Sequence, residues 1–263
     1  MDLMLECRSL GFTYMDTPVL KDISFQVDRG TFCAILGRNG SGKTTLLHCL
    51  NRILTPASGQ ILIHGKNMNH FSRNNLARAI SLVPQEHIDI FPYRVIDVVV
   101  MGRAPFLKLS ATPDETDYAI ATQALTELNA QGLALKNFNR ISGGERQIAL
   151  LARALTQASP IMLLDEPTNH LDFNNQYQLL STIKDLCQTK GISIIATLHD
   201  PNLAAIFADE VIMIKNGKIL VQGKKAGIMT RETISTLYDT DTGVIMINGQ
   251  KKIFLPNHIL EES

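Results

Sequence analysis

The 263-residue chain sets 25 Lys and Arg against 25 Asp and Glu, with 45% hydrophobic residues. That balance suits one globular domain, or one domain carrying an inserted subdomain. It lacks the basic footprint of a general nucleic-acid binder and the polybasic patch of an anionic-membrane binder, and no apolar run is long enough to span a bilayer.

The opening Met1-Asp2-Leu3-Met4-Leu5-Glu6 has neither a basic n-region nor a cleavage site, so no secretory signal is expected. Alternation predicts strands over 3–8 and 23–27, with a turn near Asp16-Thr17-Pro18. Thr31-Phe32-Cys33-Ala34-Ile35-Leu36 then reads as a strand, Gly37-Arg38-Asn39-Gly40-Ser41-Gly42-Lys43-Thr44 as a phosphate-binding loop, and Thr45-Leu46-Leu47-His48-Cys49-Leu50 as a helix. The glycines let the backbone curl so that N–H groups converge on phosphate oxygens, and the helix N-terminus adds partial positive charge there. Lys43 is placed to reach the β- and γ-phosphates, and the Thr44 hydroxyl to bind Mg²⁺. A glycine-rich structural turn would not need Lys-Thr at this spacing in this context, so a nucleoside triphosphate is the expected ligand.

Ser58-Gly59 opens a strand over 60–64, and a further strand over 79–83 is ended by Pro84. Helical periodicity over 95–103 and 114–129 marks an inserted helical subdomain. Thr112 is its expected N-cap, with Pro113 first in the helix and Glu115 three residues on. After Ser142-Gly143-Gly144 come a long helix over 144–158, a buried strand over 161–164, a helix over 174–189 ended by Lys190-Gly191, and a buried strand over 192–197. Strands alternating with helices predict a parallel sheet. The tail reads as a hairpin, 244–247 and 251–255, turning at Asn248-Gly249. The expectation is a single domain over 1–263, with its core in 1–84 and 141–225, a helical subdomain in 85–140 and a short extension in 226–263. Cys7, Cys33, Cys49 and Cys187 have no Cys-x-x-Cys spacing and read as reduced thiols of a cytosolic protein, not as metal ligands.

The apolar strand Ile161-Met162-Leu163-Leu164 delivers Asp165-Glu166 at its C-terminal edge, where ligands of open α/β sheets bind. There Asp165 suits Mg²⁺ and Glu166 suits polarising an attacking water. Ser142-Gly143-Gly144 at a helix start is a second anion site. A phosphate loop needs no second such site from its own chain, so this one hints at a phosphate held elsewhere.

Together with Gln85, Asp172 and His199, and in this order, these motifs resemble the ATP-binding-cassette (ABC) ATPases over essentially the whole chain. The resemblance implies an α/β P-loop NTPase core with an antiparallel β layer and an inserted α-helical subdomain. It implies ATP and Mg²⁺ as cofactors. Gly37, Asn39, Gly40, Ser41, Gly42, Lys43, Thr44 and Thr45 would surround the phosphates, and Tyr14 would stack on adenine, with Phe12 a competitor. Thr44, Gln85 and Asp165 would hold the metal. Catalysis would fall to Glu166 and His199 with Gln85 and Lys43. Ser142, Gly143 and Gly144 would bind the γ-phosphate held by the opposite subunit, and Asp172 would cross that interface.

The implied assembly is a homodimer on integral membrane permease subunits, served indirectly by a substrate-binding protein, at the cytoplasmic face of the inner membrane and without nucleic acid. The segment after Gln85, residues 91–107, would be the docking surface. Its Val95-Ile96-Asp97-Val98-Val99 and Gly102-Arg103-Ala104-Pro105 are similar to importer ATPases for iron-siderophore chelates, haem and vitamin B12 (cobalamin), one related branch of which handles oxyanions. Ile141 and Glu145 depart from the Leu and Gln usual in the signature, which predicts a modest kinetic change. A soluble ABC ATPase of iron–sulfur cluster assembly is the alternative. About a hundred residues lie between Lys43 and Ser142, too few for the long coiled coil of chromosome and DNA-repair relatives.

Overall fold

The computed structural model describes residues 2–85, 92–108, 110–169, 171–247 and 251–261. The Asn248-Gly249 turn and Phe91, the first residue of the expected docking segment, lie outside them.

Strands β1 (Leu3–Tyr14) and β2 (Thr17–Asp28) open the chain. Both outrun the expected 3–8 and 23–27, because register shifts between Cys7 and Thr13 break the simple alternation while pairing continues. β3 (Phe32–Leu36) leads through the glycine-rich loop into α1 (Lys43–Leu50). β4 (Ser58–Ile63) pairs with β1, and the short β5 (Lys66–Asn67) pairs with β4. α2 (Arg73–Ala79), capped by Ser72, buries only Leu76, too little for a hydrophobic period to announce it. β6 (Ile80–Val83) follows.

The helix expected over 95–103 is composite. α3 (Val95–Val100) tightens into a 3₁₀ segment, Met101–Phe106, that contains Pro105. α4 (Glu115–Glu127) is capped by Asp114, which corrects the expected Thr112 cap. Asp114 and Asp117 exchange side chain–backbone hydrogen bonds in a capping box, so two otherwise unpaired N–H groups are satisfied and Pro113 falls ahead of the cap. α5 (Gly143–Thr156), β7 (Ile161–Leu164), α6 (Phe173–Lys190), β8 (Ser193–Leu198) and α7 (Pro201–Phe207) come next. β9 (Glu210–Lys215) and β10 (Lys218–Lys224) form a hairpin that adds to the expected elements. α8 (Lys225–Ile228), α9 (Arg231–Tyr238), β11 (Thr242–Ile247), β12 (Lys251–Pro256) and α10 (Asn257–Glu261) close the chain.

The central sheet has six strands in the order β10-β9-β3-β8-β7-β6, parallel throughout except for β10 at its edge. A four-stranded antiparallel sheet, β2-β1-β4-β5, forms a second layer. Side chains alternate across β3. Phe32, Ala34 and Leu36 join the core on the side of α3 to α7, while Cys33 and Ile35 join the core shared with α1 and the antiparallel sheet. Both faces are therefore covered, and every residue of β7 and β8 is buried.

The helical elements α3 and α4 pack on α5. Gly102 sits so near α5 that a Cβ would stand 2.0 Å from the Arg153 carbonyl oxygen. One architectural consequence positions the chemistry. Four adjacent strands, β3, β8, β7 and β6, end on the same edge, and the phosphate loop, His199, Asp165-Glu166 and Gln85 follow them there.

Candidate active site

Gly42, the N-cap of α1, has φ +103°, and a Cβ there would lie 2.8 Å from Leu20 Cδ2, so the loop can close into α1 only with glycine. Lys43 is buried, and its ammonium donates to the carbonyls of Gly37 (2.8 Å) and Arg38 (3.2 Å). Burial pulls the Lys43 pKa down, while the nearby Glu166 and Asp165 carboxylates work against that. A cleft of about 700 Å³ opens over the loop. Asn39, Gly40, Gly42, Lys43, Thr44 and Thr45 line one side of it, and Gln85, Glu166, Asn169 and His199 the other.

Asp165 is 2% exposed. Its Oδ1 accepts from the hydroxyls of Thr197 (2.8 Å) and Thr44 (3.2 Å). Thr197 also accepts the Glu166 N–H at 2.7 Å. The Glu166 carboxylate accepts from the amides of Gln85 and Asn169, each at 2.7 Å, and pairs with His199 Nε2. Glu166 holds φ 47°, a left-handed conformation that a non-glycine residue adopts at a cost and that recurs at functional sites. Chemically, this is a carboxylate whose two oxygens are both oriented, placed to take a proton from a bound water. The Thr44 hydroxyl, the Asp165 carboxylate and the Gln85 amide form an oxygen donor set of the kind that suits Mg²⁺.

Ser142 is the N-cap of α5, and its hydroxyl accepts from the Glu145 N–H. Glu145 returns a carboxylate oxygen to the Ser142 N–H (2.9 Å) and another to Lys136 (2.9 Å). These contacts, the Ser142 bond first, hold the Glu145 carboxyl below the usual carboxylate range. The helix start and Lys136 thus offset the charge of the unusual signature residue. Gly143 begins the helix, and a Cβ on Gly144 would press on the Asn175 amide at 3.3 Å. Asn175 in turn gives both its backbone and its side-chain N–H to the Asp172 carboxylate, each at 2.8 Å.

The phosphate loop, Gln85, Glu166 and His199 are therefore gathered into one cleft, with Asp165 buried beside it against Thr44. Ser142, Gly144 and Asp172 are gathered with Leu171 and Asn175 at another groove of the same chain. Tyr14 stands half-exposed at the tip of the β1–β2 hairpin, its ring edge-on to Phe12 at 4.7 Å.

Thr197 and Asn169 hold the acidic edge in place, and the motifs do not point to them. Thr197 leaves a faint signal as the polar residue of an otherwise apolar Ile194-Ile195-Ala196-Thr197-Leu198. Asn169 leaves none beyond its place in the turn after Glu166.

Residues 20–169 match the family model for ABC transporters. The chain is 38% identical over 253 residues to a Helicobacter pylori protein named as an iron chelatin transport ATP-binding protein, an alignment covering 96% of this chain and 99% of the other. It superposes with a TM-score of 0.86, at 32% identity, on an inward-facing structure assigned to the metal-chelate type of ABC transporter, covering 97% of this chain and 98% of that one. It is also similar to a dimeric ATP-binding cassette in a post-hydrolysis state with ADP and Pi bound, with TM-score 0.72 and 25% identity over 84% of this chain and 98% of that one.

Proposed function

The chain belongs to the ABC transporter ATP-binding family, and on that premise we propose that it is the ATP-hydrolysing subunit of an importer. It would drive a separate membrane permease for an iron-siderophore chelate, haem, cobalamin, or a related metal chelate or oxyanion. The observation that carries the hydrolytic reading is the arrangement around Glu166. Its carboxylate is oriented by Gln85, Asn169 and His199 beside the phosphate loop. The names of the Helicobacter relative and of the metal-chelate structure support transport of a metal chelate.

In this reading the loop N–H groups and Lys43 bind the triphosphate, and Lys43 exchanges its contacts with the Gly37 and Arg38 carbonyls for phosphate oxygens. Mg²⁺ held by Thr44, Asp165 and Gln85 would neutralise phosphate charge when bound. Glu166 takes the proton of the attacking water as that oxygen bonds to the γ-phosphorus and the oxygen bridging to the β-phosphate leaves. His199 orients the water and the γ-phosphate. Tyr14 offers its half-exposed ring to the adenine.

One chain carries the phosphate loop and the Ser142-Gly143-Gly144 site at separate places, so two copies related by a two-fold axis would complete each other's sites, with Asp172 at the seam. The dimeric cassette holding ADP and Pi supports that assembly. Among the described residues no helix is long and apolar enough to cross a membrane. In this reading the membrane path belongs to permease subunits, with this chain on their cytoplasmic face and a substrate-binding protein acting further out.

The test is capture of partners from solubilised native membranes with tagged Glu166→Gln chain, identified by mass spectrometry. Co-purification of a polytopic permease is the expected result. Recovery of soluble scaffold proteins carrying iron–sulfur clusters, and of no permease, would overturn the importer reading in favour of a soluble cluster-assembly ATPase.

A further inference from the structure

Consecutive residues at the end of α9 reach the turn that carries His199 and the phosphate loop. The Tyr238 hydroxyl donates to the main-chain carbonyl of His199 at 2.8 Å. Asp239, the left-handed C-cap of α9 with φ 52°, accepts from Arg38 of the phosphate loop (2.8 Å) and from Lys215 at the end of β9 (2.5 Å). A separate fastening lies one turn beyond His199. The Asn202 side chain in α7 donates to the Phe254 carbonyl (3.2 Å) and accepts the Phe254 N–H (2.8 Å). Thus α9 and β12, both in the C-terminal extension, hold the turn that carries His199.

The Tyr238 ring packs against the main core and is partly buried. Burial, with Asp200 nearby, raises its ionisation well above the usual phenol range, so the hydroxyl keeps its proton and remains a donor at neutral pH. A carbonyl with a fixed donor has a fixed peptide plane. The His199 imidazole, which pairs with Glu166, is projected from that plane. Asp200, on the other side of the same peptide, caps α7 through the Asn202 N–H at 2.7 Å. The turn is therefore held at its carbonyl, at its cap and at the first helical turn.

We propose that Tyr238 is a positioning residue for ATP hydrolysis. By holding the His199 carbonyl it sets the imidazole against Glu166, which makes the C-terminal extension a working part of the hydrolytic site. The proposal rests on the roles given above to Glu166 and His199.

The experiment compares ATP turnover by the full chain, Tyr238→Phe, His199→Ala and the double variant, with Glu166→Gln as control. Phe keeps the ring and removes one hydrogen bond. The expected result is a kcat lowered about fivefold with KM for ATP within about twofold, the scale of one hydrogen bond lost away from the bound nucleotide. In the His199→Ala background, measured by single-turnover phosphate release, Tyr238→Phe should change nothing further. An unchanged kcat, a loss that appears only in KM, or an equal loss with and without His199 would overturn the proposal. Should Tyr238→Phe not fold, as judged by its melting curve, Asn202→Ala loosens the same turn from the β12 side and is held to the same kcat criterion. Full activity in the Glu166→Gln control would instead overturn the underlying assignment of Glu166, a result separate from a failure of Tyr238 alone.

Discussion

At the scale of single residues, Glu166 stores strain and collects partners. Its φ of 47° turns the carboxylate back over the sheet edge, where Gln85, Asn169 and His199 meet it. Replacing it by Gln preserves shape and removes the proton acceptor. We expect Glu166→Gln to bind ATP with little change, to lose about 100-fold or more in turnover, and to elute as a dimer in the presence of ATP. Phosphate release and size-exclusion chromatography read these directly, and turnover within a few-fold of the parent chain would remove Glu166 from the chemistry. Which residues could be read in advance follows from how the site is built. The phosphate loop is legible because its function needs consecutive residues. Glu166, Asp165 and His199 are legible because each ends an apolar parallel strand. Thr197 is not, because its value lies in bridging Asp165 and the Glu166 N–H, contacts that exist only once β7 and β8 are paired.

At the scale of elements, the helical region is tied together by a few polar anchors in an apolar setting. Arg103 donates to Asp117 of α4 (2.9 Å) and to the Thr156 carbonyl at the end of α5 (3.0 Å), and its guanidinium lies over the Phe106 ring at 4.0 Å. The Arg103 hydrogen bond, helped by the Asp114 N–H, holds the Asp117 carboxyl below its usual range against the cost of burial. A depressed folded-state pKa means stability that is present above the unfolded value of about 3.9 and lost as pH falls below it. Urea unfolding should therefore show Asp117→Asn destabilised at neutral pH, with a smaller further loss on acidification than the parent chain. An identical acid limb in both would show that the pair contributes nothing. The same pair explains the position of the α4 cap. Thr112 with Glu115 and Asp114 with Asp117 are two capping boxes of the same form, offset by two residues. Local sequence does not choose between them. Arg103, which precedes both, fixes Asp117 and so selects Asp114. The hairpin of β9 and β10 and the short α2 were beyond the sequence for a similar reason, since their pairing partners and packing surfaces are distant in the chain.

At the scale of the whole molecule, two layers of sheet and the helices around them bury all four cysteines. Burial pushes the thiols of Cys7 and Cys49 up to about 12 and that of Cys187 to about 11, and Cys33, in the central strand, higher still. At neutral pH the folded chain should react slowly with a thiol reagent, and all four groups should react at once in urea, so modification reports unfolding. Fast modification of the native chain would contradict the burial. The placement of the Ser142 groove apart from the phosphate-loop cleft has a consequence for inheritance. In the two-fold assembly proposed above, a chain with an inactive phosphate loop would keep its Ser142-Gly143-Gly144 surface and would still pair with intact copies. Each such pairing would spoil an assembly that an intact copy would otherwise complete. On that assembly, a cell carrying one damaged and one sound gene would lose more ATPase activity than the damaged share of its protein, and the damage would behave as dominant.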